Sequence, residues 1–245
     1  MLVYVYDGSF EGLLTSVFEA YYRRQEPSAI IRAEGLQQDI LARYVYIATD
    51  PVRSERVYTA IWKKISVEAL RNIYYVFLSE DPGAGTVIYR YLRLGWKMGR
   101  RVDLHLSDEA VFRVMDINRR VECELHRLMG FVRFRQVEGG IFYSPVSPDN
   151  NIVELLAPHF AERLPDQNWI IHDVKRGLAA LYNRRTWIIS EFTTGEIPGN
   201  TEEEKQYAGL WKEFFNISAI PYRTNPKLQR QLMPRRYWEH MTEKQ

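Results

Sequence analysis

A chain of 245 residues with 46% hydrophobic and 13% aromatic side chains can bury a substantial core, which excludes wholesale disorder. Its apolar runs are far shorter than the roughly 20 residues of a membrane span, and "MLVYVYDGSF" carries no signal-peptide pattern, so neither a membrane nor a leader is expected. The single cysteine, Cys123, rules out an intrachain disulfide framework and a Cys-rich zinc or iron–sulfur site; a cytoplasmic protein with no cofactor and no metal is expected.

The net charge of +2 conceals an uneven distribution. Residues 90–135 carry 11 basic and 6 acidic groups, and residues 223–245 carry 6 and 2. The intervening blocks are acidic: 9 against 11 over residues 1–89, and 7 against 12 over residues 136–222. Basic blocks that form a surface could hold phosphates, whereas mixed signs otherwise describe solvated surface.

In chain order, "MLVYVYD" has the composition of a strand, and Ser9 caps a helix with Phe10, Leu13, Leu14, Val17, Phe18 and Tyr21 at helical spacing. "RYVYIAT" predicts a second strand. Asp50 and Pro51 open the next helix, Pro51 sitting where its missing N–H costs nothing. "SVEALRNIYYVFLSE" reads best as a helix, though its Tyr-Tyr-Val-Phe run could be a strand, and "TVIYRYLRLGWKMG" predicts a helix after the "DPGAG" break. The longest helix is expected to start at Ser107 and end at Gly130, with Ala110, Val111, Val114, Ile117, Val121, Leu125 and Leu128 along its apolar face.

Beyond it, "FVRFRQV" and "GIFYSPV" predict a hairpin turning at Glu138-Gly139-Gly140. "NNIVELLAPHFAERL" predicts a helix capped by Asn150 or Asn151 and disturbed by Pro158. "NWIIHD", "GLAALYN" and "TWIISEF" predict an antiparallel meander, residues 195–200 a short polar break, and "EEKQYAGLWKEFFNIS" a last long helix. Helices mixed with hairpins, without strict β-α alternation, predict a single α+β domain over residues 1–245 with a basic C-terminal segment, 223–245.

Familiar catalytic signatures are missing. "GAGTVI" (Gly83 to Ile88) lacks the third glycine of a dinucleotide fingerprint and the Gly-Lys-Ser/Thr of a P-loop, so it reads as a break between helices. Cys123 and His126 share a helix face, but no second pair completes a zinc site, and Cys123 is expected to be a structural thiol beside the apolar stripe. His159 and His172 could each serve as a general base, yet no spacing supplies a partner; the catalytic residues, if any, remain unassigned.

Glu109, Arg113, Asp116, Arg120, Glu124 and Arg127 form an alternating stripe expected to be a solvated, self-paired helix face. Arg100, Arg101, Arg133 and Arg135 have fewer local acids and are the expected phosphate contacts, Arg133 and Arg135 sharing one face of a strand. In "RTNPKLQRQLMPRRYWEHMTE" (Arg223 to Glu243), Pro226 and Pro234 open short helices, Trp238 and Leu232 are expected to pack inward, and Arg235 and Arg236 to stay outside as further phosphate contacts.

The blocks "YDGSFEGLLTSVFEAY", "GRRVDLHLSDEAVFRVMDINRRVECELHRLMGFVRF", "LLAPHFAERLPDQNWIIHDVKRG" and "NPKLQRQLMPRRYW" together resemble a bacterial family of DNA-metabolism and DNA-repair proteins encoded beside a DNA-modifying radical-SAM protein. A relative is fused to a uracil-DNA glycosylase-like domain. The resemblance implies a DNA context and a protein partner but transfers no catalytic residue, and the chain has no Cys-x-x-x-Cys-x-x-Cys run of its own. The expectation is an accessory protein that binds DNA or the radical-SAM partner. The alternatives are an adaptor without DNA contact and a nucleic-acid-processing enzyme whose site the sequence does not reveal.

Overall fold

The computed structural model describes residues 1–34, 36, 39–193, 199–218, 220–223 and 225–244. The predicted polar break at 195–200 falls mostly outside the described residues. The chain has an α+β fold and forms two compact units, Met1–Glu122 and Cys123–Gln245.

The first unit is built on a three-stranded parallel sheet. Strand β1 (Leu2–Tyr6) lies between β2 (Ala29–Arg32) and β3 (Arg43–Tyr46). Val3, Tyr4, Val5 and Tyr6 are all buried, as a central parallel strand covered on both faces requires. The antiparallel strands and hairpins expected from sequence lie in the second unit, and this parallel sheet is an addition to them. β2 spans only four residues, too few to display a period, and the β1–helix–β2 crossover that enforces parallel pairing was hidden with it.

Helix α1 (Phe10–Tyr22) is capped by Ser9, and α2 (Pro51–Lys64) by the Asp50 carboxylate, with Pro51 in the first turn. The buried Glu19 of α1 ties the two helices together by pairing with Arg53. Helices α3 (Val67–Leu78) and α4 (Ala84–Met98) follow.

The "GAGTVI" stretch has a packing role. A Cβ on Gly85 would lie 2.5 Å from the Ile30 carbonyl oxygen, so only glycine lets α4 come this close to β2. The Thr86 hydroxyl alongside accepts the Ile30 amide at 3.0 Å.

The division between the units falls within helix α5 (Glu109–Phe131). Asp108, rather than Ser107, caps this helix: its carboxylate accepts the Ala110 and Val111 amides. Gly130 does not end it either, because the helix continues through Phe131 and Gly130 keeps a negative φ.

The second unit holds a five-stranded sheet ordered β4 (Arg135–Val137), β5 (Ile141–Val146), β6 (Asn168–Asp173), β7 (Leu178–Asn183), β8 (Trp187–Glu191). The β4–β5 hairpin turns at Gly139 and Gly140, both with positive φ, and β6–β7–β8 form the predicted meander. β5 and β6 run parallel because α6 (Val153–Arg163) carries the chain back between them.

Pro158 lies inside α6, and no side chain caps the helix: the amide of Asn150, an expected cap, is engaged elsewhere. Trp169, stacked on Tyr182 with centroids 5.0 Å apart, centres the core with Tyr143, Ile171 and Phe160. Helices α7 (Glu202–Ser218) and α8 (Pro226–Leu232) precede a short 3₁₀ segment, Arg235–His240.

Gly85→Ala should lower stability by about 1–3 kcal/mol, because backbone, not a flexible side chain, blocks the new methyl. Gly130→Ala, whose added Cβ meets nothing within 4 Å, should be neutral or stabilising by up to about 1 kcal/mol. Urea denaturation of the two variants checks this; equal midpoints would refute the close-approach argument.

Candidate nucleic-acid interface

The basic C-terminal segment is fastened to the second unit by a buried acid. Glu124 was expected on a solvated stripe, but it is only 3% exposed. Helical spacing explains the difference, because Glu124 follows Val121 by three residues and so falls on the face occupied by Val121 and Leu128. Its oxygens accept the Asp149 and Asn150 amides, each at 2.9 Å, the Asn150 side-chain amide at 2.6 Å and the Tyr237 hydroxyl at 2.7 Å. Arg236 adds a longer contact at 3.4 Å and binds Asp149 more closely, at 2.7 Å.

Burial alone would raise the Glu124 pKa. The hydrogen bonds from Asp149, Tyr237 and Asn150 overcome it and hold the carboxyl below its ordinary value. Burial and the adjacent Glu124 carboxylate push the Tyr237 hydroxyl well up.

Tyr237, 2% exposed, is therefore the inward anchor. Trp238 is only half-buried, with its indole N–H on the Met233 carbonyl, and Leu232 is 58% exposed. The expectation that Trp238 and Leu232 would pack inward is corrected accordingly. A phenol that can hand its hydroxyl to a buried carboxylate satisfies both groups, which an indole or a leucine at that place would not.

The same loop is held from a further side. Asp173, at the end of β6, pairs with Arg176 at 2.6 Å, and Arg176 donates to the Pro148 and Asp149 carbonyls. The Ser147 hydroxyl meets His240 Nε2 at 2.8 Å. Residues 147–150 are thus clamped by α5, by the β6–β7 turn and by the C-terminal segment.

The six arginines singled out by sequence have different environments. Arg100 and Arg101 are exposed in the first unit, where Arg100 lines a groove of about 710 Å³ with Trp62, Lys63, Glu68 and Asp103. The other four belong to the second unit.

Arg133 pairs with Glu243 at 3.0 Å and also donates to the Gly130 carbonyl. It precedes β4, so it shares no strand face with Arg135. Arg135 lies 5.1 Å from the centre of the Tyr143 ring, half-buried. Arg236 is committed to Glu124 and Asp149. Arg235 is exposed and lies 5.8 Å from the Trp238 ring centre, where Lys244 also approaches at 5.2 Å.

Three further cations, Arg223, Lys227 and Arg230, are exposed and form no ion pair among the described residues. Tyr222 beside them is 99% exposed. Sequence reasoning covered these residues only as part of the basic C-terminal segment expected to hold DNA, and named none of them as a contact. The signal available was the three-residue step from Lys227 to Arg230, which places both on one side of α8.

The two histidines considered as general bases pack against aromatic rings. His172 is buried at 1% exposure against Tyr143, whose hydroxyl meets Nδ1 at 2.9 Å, and burial pulls its pKa down. His159 packs edge-on against Phe160. Cys123 is exposed, not tucked beside the apolar stripe: it lies two residues beyond Val121, which turns it away from that face. Among the described residues no group of three His, Cys, Asp or Glu is placed to hold a metal ion, and no helix is long and apolar enough to cross a membrane.

Residues 82–243, about two thirds of the chain, match the family model described as "Domain of unknown function (DUF4130)". The chain belongs to this family. No curated protein matches it. The matched region includes α4, α5 and the whole second unit down to Glu243, and so contains Glu124, Tyr237 and the basic C-terminal segment.

Two outcomes follow from this geometry. Tyr237→Phe should lower stability by about 1–3 kcal/mol, since it strips a hydrogen bond from a buried carboxylate. Because the folded-state pKa of Glu124 lies below its ordinary 4.5, its contribution is complete above that value and is lost as pH falls through the folded pKa. Glu243 is shifted in the same direction: its hydrogen bonds and Arg133 outweigh burial. Amide protection factors over residues 235–241 should therefore collapse only below about pH 4.5; protection that stays unchanged down to the global acid transition would refute the assignment. Cys123 should react with a maleimide in the native protein at a rate close to that of the unfolded chain, and strong protection would contradict its exposure.

Proposed function

We propose that this protein is a DNA-metabolism accessory factor that holds single-stranded DNA along its C-terminal segment. The observation that carries the reading is the run of exposed cations Arg223, Lys227, Arg230 and Arg235, which lie beside the exposed Tyr222 and the half-buried Trp238. A single strand asks for cations along its backbone and flat rings for its bases, and both are present. Within the second unit Arg135 adds a cation from its place on Tyr143. Arg133 and Arg236 act differently: their ion pairs hold the segment in place, so they support the surface more than they touch phosphate. The resemblance to DNA-repair proteins encoded beside a radical-SAM enzyme, with a relative fused to a uracil-DNA glycosylase-like domain, supplies the biological setting of this reading.

A second reading, a protein adaptor for the radical-SAM partner, is favoured by α7. Tyr207, Leu210, Phe214 and Ile217 lie along this helix and are all exposed, which is unusual for a helix of seventeen residues.

The experiment is a salt titration of oligothymidine binding. Replacing Lys227, Arg230 and Arg235 together with Ala should reduce the slope of log affinity against log salt by about two, because each lost single-strand phosphate contact removes roughly 0.7. Thermal stability should be retained, since none of the three is ion-paired among the described residues. An unchanged slope, or no binding by the parent protein, would overturn the DNA reading and leave the adaptor.

A further inference from the structure

The second unit contains a cavity of about 420 Å³ next to Arg133, in the size range of small-molecule sites. Three phenylalanines line it. Phe160 is buried, whereas Phe134 and Phe142 are half-buried and keep part of their rings open. Phe134 meets Phe160 edge-on at 5.3 Å, which fixes its ring. The polar residues of the lining are Arg133, Arg163 and Gln167, and no lining residue is acidic, although Arg133 is paired with Glu243.

Two of these groups are incompletely used. Arg163, in the last turn of α6, is exposed and forms no ion pair among the described residues. Its ordinary role would be to complement the helix C-terminus, which leaves its donors available to a ligand. Arg133 is engaged at its outer nitrogens, but its Nε–H is buried without an acceptor among the described residues. A buried donor left unmet is costly, so an acceptor that reaches it is favoured.

We propose that this cavity holds one nucleotide unit, its base against Phe134 and Phe142, its phosphate on Arg163, and one acceptor of the nucleotide on the unmet Arg133 Nε–H. The rings call for a flat, apolar-faced group, the unpaired Arg163 with no acid among the lining residues calls for an anion, and one amide is the group that reads a base edge by paired hydrogen bonds. Inorganic phosphate would leave the rings idle, and an uncharged ring would leave the guanidiniums idle. The nucleotide could be free or an unstacked residue of a bound strand. The second source rests on the single-strand reading above; the first does not.

The full chain is titrated with the four deoxynucleoside monophosphates, with deoxyadenosine and with inorganic phosphate, and separately with an oligothymidine carrying one 2-aminopurine. A monophosphate should bind more tightly than either deoxyadenosine or phosphate alone. Arg163→Ala should weaken the monophosphate about tenfold while leaving deoxyadenosine unchanged. Gln167→Ala should alter the order of preference among the bases. Both sites are surface-accessible, and unaltered thermal unfolding confirms that the variants are folded.

If the source is a strand, 2-aminopurine fluorescence falls on binding in the parent and not in Arg163→Ala. The inference is overturned if no monophosphate saturates the parent, or if both variants bind every nucleotide as the parent does. Oligonucleotide binding without either signal would sink the pocket and spare the single-strand reading. Monophosphate binding without oligonucleotide binding would do the reverse.

Discussion

The second unit depends on how one buried carboxylate is satisfied. Glu124 cannot stay charged out of water unless donors surround it, and those donors come from residues far apart in sequence: Asp149 and Asn150 in one loop, and Tyr237 near the C-terminus. Satisfying Glu124 fixes the loop 147–150, and the loop in turn offers Asp149 to Arg236. A C-terminal segment that would otherwise fray is thus built into the fold by polar contacts as well as by the Tyr237 ring. The arrangement is specific because a buried anion tolerates few substitutes for its partners.

This reassigns the basic residues. A count of cations treats every arginine alike, but the structure separates those that hold the fold from those that face outward. Arg133, Arg176 and Arg236 neutralise Glu243, Asp173 and the Glu124–Asp149 pair. Arg223, Lys227, Arg230 and Arg235 are carried on the segment so fastened. The two roles are linked: the ion pairs of the first group give the second a fixed surface.

Aromatic residues show the same division. Trp169 and Tyr143 are spent on the core, and Tyr237 on the Glu124 anchor. Tyr222, the α7 rings and the open faces of Phe134 and Phe142 are not absorbed by packing. It is from this remainder, not from the total aromatic content, that a binding reading can be drawn.

Local chemistry made much of the fold legible. Asp50-Pro51, Ser9, Gly139-Gly140 and Pro226 each act within a few residues, so these caps and turns could be read directly. The apolar period of α5 was read correctly along most of its length, and the meander β6–β7–β8 followed from its turns.

What the sequence could not determine was anything set by distant neighbours. The parallel pairing of β1 rests on a four-residue strand without a period of its own. The meaning of Gly85 rests on a carbonyl fifty-five residues away, at Ile30. The exposure of Cys123 and the burial of Glu124 came from a difference of one position around the helix, about 100°. The choice of Tyr237 over Trp238 was made by a carboxylate over a hundred residues earlier in the chain. Sequence by itself determined the α+β class, several caps and turns and the basic character of the C-terminal segment, because these follow from residue type and short spacing. Tertiary structure alone decided which cations are neutralised and which rings are left open, because burial and charge pairing depend on residues that only folding brings together.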